Sequence, residues 1–437
     1  MHYCLYICYQ LKYNYLAVFL YNIFLWVLKA GIHVASLFNA KASKWVRGRK
    51  GLLEHMAGVI PATDKIIWMH CASLGEFEQG RPLLEKMKEQ YPEYRFLLTF
   101  FSPSGYEVQK NYKGADWVFY LPADGPHNAR RFLEIVHPSL VIFVKYEFWY
   151  YYLKKIKYRN IPLVLVSALF RQDMSFFSWY GGLQRKMLSR FDHLFVQNES
   201  SAELIKGIGL ADICTVSGDT RFDRVAAIAG RFEPIPIISE FCADNRVLVA
   251  GSTWPEDEVV LAGAWRGSST LSLKMIIAPH ETNEKHILEL KKMFPEAVRF
   301  SEARTGQLAQ EKILIIDNVG MLSRLYKYGW VTYIGGGMMK NGVHNVLEAA
   351  VYGKIVLFGP YYQKYTEAIG LVESGGGLSF TDEAKNGEPL REILESFASD
   401  EPAYLNRSMA AGRFVQSHLG ATDRILHYFQ EKRLLTN

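Results

Sequence analysis

The sequence predicts an α/β protein made of two successive doubly wound lobes behind an N-terminal apolar helix, and three observations predict it. After Asp64, short and strongly apolar runs alternate with longer helical patterns. The alternation breaks once, near Phe232, and then starts again. Ahead of both lobes, the stretch YNYLAVFLYNIFLWVL from Tyr13 to Leu28 carries no charge. A length of 437 residues agrees with this, because an ordinary domain holds about 150. With 49% hydrophobic and 22% charged residues and no low-complexity tract, most of the chain is expected to be globular.

In chain order, residues 1–50 read as a membrane anchor with a basic flank. A second apolar run follows Lys29 and reaches Phe38, and no small-residue cleavage site follows it, so the anchor is expected to stay on the protein. The uncharged part falls slightly short of a bilayer span of about 20 residues, which leaves a spanning and a half-inserted helix both open, as well as the core helix of a soluble protein. The first 50 residues hold seven basic side chains and no acid, whereas the whole chain has a net charge of +6, so the rest sums to −1. A nucleic-acid groove spreads its positive charge over the folded domain, so no nucleic-acid partner is expected. The cluster Lys41, Lys44, Arg47, Arg49 and Lys50 suits anionic lipid head groups instead, and keeps the globular part on the cytoplasmic side. Five scattered cysteines, Cys4, Cys8, Cys71, Cys214 and Cys242, form no CxxC pair and argue for a reducing compartment without disulfides.

The first lobe, 51–231, offers strands at 66–70, 96–101, 117–121, 140–144, 162–166 and 193–196, with helices near 79–90, 128–136 and 200–208. Runs this short and this apolar suit parallel strands covered on both faces. The prolines of EPIPII at 233–238 read as an extended linker. The second lobe, 232–437, offers strands at 246–250, 273–277, 313–316, 330–334 and 354–358, and its last helix can pack back on the first lobe. Open parallel sheets bind ligands at the carboxyl ends of their strands, so a cleft between the lobes is the expected site.

Several motifs stand at those strand ends. In HCASLGEFEQG, 70–80, Ser73 and Gly75 allow a tight turn, and Glu76 is either a general base or an acid favoured by a helix N-terminus. KYEFWYYYL, 145–153, puts Glu147 among aromatics, either to hold a polar ligand or to pack the lobe. SGDTRFDRV, 217–225, carries Arg221, a fork for phosphate or carboxylate that a surface arginine also matches. In the second lobe, AGSTWPEDE, 250–258, is a turn whose N–H groups can meet phosphate oxygens, and IIAPHETNEKH, 276–286, presents Pro279 and His280. YIGGGMMKNGVHNVLEAAVYGKIVLFGP, 333–360, is the strongest local signal: three glycines for close backbone approach, then a helix carrying Asn345 and Glu348 on one face. No HExxH or paired acidic motif dominates, so no metal is expected.

Taken in order, WMHCASLGE, TFFSPSGYE, KYEFW, SALF, VQNESSAELIKGIG, SGDTRFD, AGSTWPEDE, IIAPH, DNVGMLSRLY and GGGMMKNGVHNVLEAA resemble the Kdo transferase family of lipopolysaccharide synthesis over nearly the whole chain. The resemblance implies two Rossmann-like lobes of the GT-B type at the cell inner membrane. It also implies inverting, metal-independent transfer of 3-deoxy-D-manno-octulosonic acid (Kdo) from CMP-Kdo to the lipid A precursor, with no cofactor. By resemblance Glu76 is the base, and Glu147 and Arg221 stabilise the transition state. Pro279, His280, Val319, Gly320, Met321, Asn345, Val346, Leu347 and Glu348 match positions that contact CMP. Three positions depart from the pattern: His280 and Glu281 follow Pro279 in place of Arg and His, Arg221 replaces a lysine, and Lys145 replaces a second acid. Another GT-B activity, such as a sugar epimerase or polyol-phosphate transferase, or a membrane-tethered nucleotide-sugar binding protein, are the alternatives.

Overall fold

The computed structural model describes residues 2–267 and 272–435, with side chains from Tyr15 onward, so Cys4 and Cys8, expected to be free thiols, lie outside the described side chains. The chain divides into two compact units, 1–224 with 420–437, and 225–419.

The first unit is built on a seven-stranded parallel sheet: β1 Ile66–Cys71, β2 Arg95–Phe100, β3 Trp117–Tyr120, β4 Leu140–Val144, β5 Leu163–Ala168, β6 His193–Val196 and β7 Cys214–Val216. Its order is β3-β2-β1-β4-β5-β6-β7. Strand alternation divides β1 between two cores. Ile66 and Trp68 face a cluster with Phe132, Phe143 and Tyr152, whereas Ile67, Met69 and Cys71 face one with Phe77, Leu98 and Ile142. The second cluster is completed by Ile425, Leu426 and Phe429 of the helix Ala421–Glu431, which returns from the end of the chain. Each large side chain so buried stabilises the fold by about 1.5–3 kcal/mol.

The helix His2–Ala35 precedes this sheet. Its portion Tyr15–Ala35, 21 residues with a mean hydropathy of 1.7, is long and apolar enough to cross a membrane by length and composition. The uncharged run looked short because the helix continues through Lys29, a side chain that can snorkel.

The second unit repeats the plan with β8 Arg246–Thr253, β9 Leu273–Pro279, β10 Val298–Arg299, β11 Ile313–Ile315, β12 Val331–Ile334, β13 Ile355–Phe358 and β14 Gly377–Ser379, in the parallel order β10-β11-β9-β8-β12-β13-β14. The edge strands β7, β10 and β14 escaped the sequence reading, being two or three residues long and only partly buried. The segment 233–238 is not a plain extended linker, because Pro236 opens the helix Pro236–Cys242 at a position where its missing N–H costs nothing.

In each sheet the chain runs outward from one strand and later returns to that strand's other side. The switch point falls between β1 and β4 in the first unit and between β8 and β12 in the second. Just beyond the carboxyl ends of such strands the loops diverge and leave a crevice.

Candidate functional site

At the switch point of the first unit, two carboxylates stand after β1 and β4. Glu76 lies in the first turn of the helix Leu74–Gln90, half-buried, where its Oε2 accepts a hydrogen bond from the Ala72 N–H. Burial and the neighbouring charge of Glu147 push its carboxyl up to about 7, against the pull of the Ala72 N–H and of Lys145. Gly75 does not make the turn expected of it: it sits inside the helix, and a Cβ there meets nothing within 4 Å. The turn comes from Ser73, the extended N-cap.

Glu147 is 6% exposed and held by two donors. His70 Nε2 lies 2.7 Å from its Oε2, and the Trp149 indole N–H donates to the same oxygen at 2.6 Å. Behind His70 the chain of bonds continues. Trp68 Nε1–H donates to Thr99 Oγ1 at 2.8 Å, and that hydroxyl stands 2.9 Å from His70 Nδ1. The Thr99 carbonyl oxygen stands 3.0 Å from the same Nδ1, so Thr99 holds that edge of the ring while Nε2 faces Glu147. His70 is fully buried on β1, and neither it nor Thr99 was singled out in the sequence. An ionisable side chain inside an otherwise apolar strand was the available signal.

Arg221 is not a bare cation. Its Nε and a terminal nitrogen both donate to Asp219 Oδ2, at 2.9 and 2.7 Å, and its backbone N–H reaches Oδ1. The pairing fixes where the guanidinium lies. Tyr146, whose phenol is raised by burial, is also influenced by Arg171, Glu76 and Arg221, so these groups share one neighbourhood with Glu147 and Lys145. Arg171 is the further candidate that the sequence reading missed: a cation shortly after β5, in SALFRQD.

In the second unit the triple glycine follows β12. A Cβ on Gly335 falls 2.2 Å from Ser252 O, and one on Gly337 falls 2.6 Å from Gly359 N. Here the close approach is of backbone to backbone. Asp257, fully buried, accepts from the N–H groups of Trp254 and Gly336 at 2.9 and 2.8 Å and from the Tyr333 hydroxyl at 2.7 Å. It thereby ties the loop after β8 to the loop after β12.

On this support sits an aromatic cluster. Trp254 Nε1–H donates to His344 Nε2 at 2.9 Å with the rings 11° from parallel, and His280 stacks on both at 4.6 Å. Burial, with His280 adding, lowers His344 to about 4, and the accepted bond leaves its proton on Nδ1. His280 is exposed at the end of β9, directly after the buried Pro279.

The remaining candidates fall into three groups. Val319 is 83% exposed, Gly320 has φ +99°, and Met321 is 6% exposed, in the turn before the helix Leu322–Leu325. Asn345 Nδ2 donates to Glu348 Oε1 at 3.0 Å, while its Oδ1 accepts from the Leu347 N–H. Val346 and Leu347, also expected at the nucleotide, are fully buried, backbone included, and present no surface to a ligand. Among the described residues no group of three or more His, Cys, Asp or Glu stands close enough to hold a metal ion.

Residues 45–224 match the family described as 3-deoxy-D-manno-octulosonic-acid transferase (kdotransferase). The 3-deoxy-D-manno-octulosonic acid transferase of Aquifex aeolicus is 30% identical over 334 residues, 75% of this chain and 86% of that protein. The enzyme of the same name from Haemophilus influenzae is 25% identical over 373 residues, 82% of this chain and 85% of its own length. Among solved structures, the UDP-GlcNAc 2-epimerase from Neisseria meningitidis superposes with a TM-score of 0.59 at 14% identity, covering 84% of this chain and all of that one. A glycosyltransferase from Rickettsia africae gives 0.55 at 13%, covering 86% and 100%. At such identities the two structures speak for the fold, which is GT-B-like. With a relative at this identity matched over most of its length, and acids standing at the β1 and β4 strand ends, the chain belongs to the 3-deoxy-D-manno-octulosonic acid (Kdo) transferase family and is a glycosyltransferase.

Proposed function

We propose that this enzyme transfers Kdo from CMP-Kdo to the lipid A precursor, with inversion at the anomeric carbon and without a metal, at the cytoplasmic face of the inner membrane. The observation that carries the reading is Glu76, a half-buried carboxylate raised to about 7 beside Glu147 at the switch point of the first sheet. A base works best when its pKa lies near the working pH. In the reaction Glu76 takes the proton of an acceptor hydroxyl as that oxygen attacks the anomeric carbon. The bond from this carbon to the phosphate oxygen breaks, and CMP leaves with the electron pair. Glu147, held by His70 and Trp149, and Arg221, held by Asp219, stabilise the charge that develops on the sugar and its carboxylate. The second unit takes the nucleotide: His280 on its aromatic support meets phosphate, and the backbone of 319–321, with Asn345 and Glu348, meets the cytidine. The apolar helix and the basic run 41–50 support membrane attachment.

The test is incubation of the purified protein with CMP-Kdo and tetra-acylated lipid A precursor, followed by mass analysis. The expected product is heavier by one or more Kdo units, and none forms with UDP-GlcNAc as donor. Turnover of UDP-GlcNAc in place of CMP-Kdo overturns the donor assignment.

A further inference from the structure

The apolar helix is in contact with the first unit along most of its length. Val18, Tyr21, Leu25, Leu28 and Ile32, spaced three and four apart, are half-covered, whereas Phe19, Leu20, Ile23, Phe24, Trp26 and Val27 between them are exposed. That pattern is one helical stripe laid on the lobe over about 21 Å, at 1.5 Å per residue. Near the middle the attachment is polar. The Tyr21 hydroxyl donates to Asp124 Oδ2 at 2.7 Å and accepts from the Tyr150 N–H at 3.2 Å, and the Tyr151 hydroxyl donates to Asn22 Oδ1 at 2.7 Å. Asp124 also accepts from the N–H groups of Tyr151 and Tyr152, at 3.1 and 3.2 Å.

A helix crossing the bilayer is surrounded by about 30 Å of hydrocarbon. Crossing in this arrangement would carry the lobe surface beside the helix, with Asp124 and the exposed Lys154 of the helix Tyr150–Tyr158, into that layer, where charge is costly. The exposed stripe of the helix does not end at the helix. A cavity of about 500 Å³ lined by Leu16, Leu20, Phe24 and Tyr180 joins it to the loop that carries Trp179 and Tyr180, which are 87% and 53% exposed.

We propose that the helix Tyr15–Ala35 lies in the plane of the membrane surface instead of crossing it. Its covered stripe rests on the lobe, and its exposed stripe enters the lipid together with Trp179 and Tyr180. The partner is the anionic cytoplasmic leaflet: the apolar stripe sinks about 5–10 Å, and the exposed Lys41, Lys44, Arg47 and Lys50 meet the head groups, whereas Arg49, expected among them, is turned into the lobe by bonds to the Leu121 and Phe101 carbonyls. This rests on the membrane attachment argued above and adds its geometry.

Two measurements on the full chain test it. A protease-cleavable tag at the N-terminus is expected to be cut in inverted inner-membrane vesicles and protected in right-side-out ones; the reverse pattern overturns the proposal. In vesicles of zwitterionic and anionic phospholipid brominated at defined depths, tryptophan fluorescence is expected to be quenched most by shallow bromines, and Trp26→Phe and Trp179→Phe each to remove part of that quenching. Strongest quenching of Trp26 by bromines at the bilayer centre also overturns it, since Trp26 lies near the midpoint of the apolar stretch. A chain that fails to sediment with vesicles overturns the attachment itself, a result separate from either orientation.

Discussion

Burial, with the charge of Glu147 adding to it, raises the Glu76 carboxyl and gives the site its pH dependence. Glu76 acts as a base only when ionised, so kcat/KM is expected to rise with pH along an acid limb centred near 7, measured in a buffered rate series. Glu76→Gln is expected to lower transfer at least about 1000-fold while CMP affinity, read by calorimetry, stays within about two-fold. The sign for stability is opposite. A carboxylate raised in the fold is more strained ionised than in the unfolded chain, so its cost appears as pH climbs from about 4.5 to 7 and persists above. Glu76→Gln is therefore expected to be the more stable protein at pH 8, by roughly 1–2 kcal/mol after allowance for solvent, and equally stable near pH 4. His70 acts through Glu147. His70→Ala is expected to cost about 1–3 kcal/mol in urea unfolding and to lower kcat more than it changes KM, with His70→Gln recovering part of kcat. Glu76 could be read in the sequence because helix-opening acids after strands are local. For His70 the only local signal was an ionisable side chain in an apolar strand, and neither its role nor that of Asp257 could be read, because their partners lie far off in sequence, Glu147 for one and Gly336 and Tyr333 for the other.

Among the elements, the loops after β8 and β12 depend on each other. Gly337→Ala forces a Cβ to 2.6 Å from the backbone of Gly359, and a repacking cost of about 1–3 kcal/mol with loss of CMP binding is expected, checked by thermal melts with and without CMP. Gly75→Ala is the comparison: nothing crowds its Cβ, so near-normal stability is expected. The glycines were legible as a place of close approach. What they approach was not, since a sequence cannot distinguish a ligand from Ser252 and Gly359. The central strands were legible because burial on both faces makes them continuously apolar, as in β4 and β5. The edge strands β7, β10 and β14 were not, because two or three residues such as Cys214–Val216 carry too little pattern to count. The Trp254, His280 and His344 cluster was likewise hidden, as three strand ends bring together rings from three separate motifs.

At the scale of the molecule, the two α/β repeats, the apolar helix and a last helix able to pack back on the first lobe were visible in the order of the segments, while the residues that this helix covers follow from contacts that no local pattern encodes. Ile425, Leu426 and Phe429 bury against Met69, Phe77 and Leu98, which at about 2 kcal/mol each amounts to roughly 6 kcal/mol, comparable to a domain's whole stability. A chain stopped before Gly420 is expected to lose the cooperative melt of its first unit and to aggregate, as read by calorimetry and light scattering, and Phe429→Ala is expected to cost about 3–5 kcal/mol. The same return has a consequence for synthesis. A ribosome making this protein delivers the strands of the first sheet early and the helix that seals one side of that sheet after the whole of 225–419 has emerged. Through that interval the nascent chain carries an uncovered apolar floor, and its maturation is timed by the arrival of its last helix.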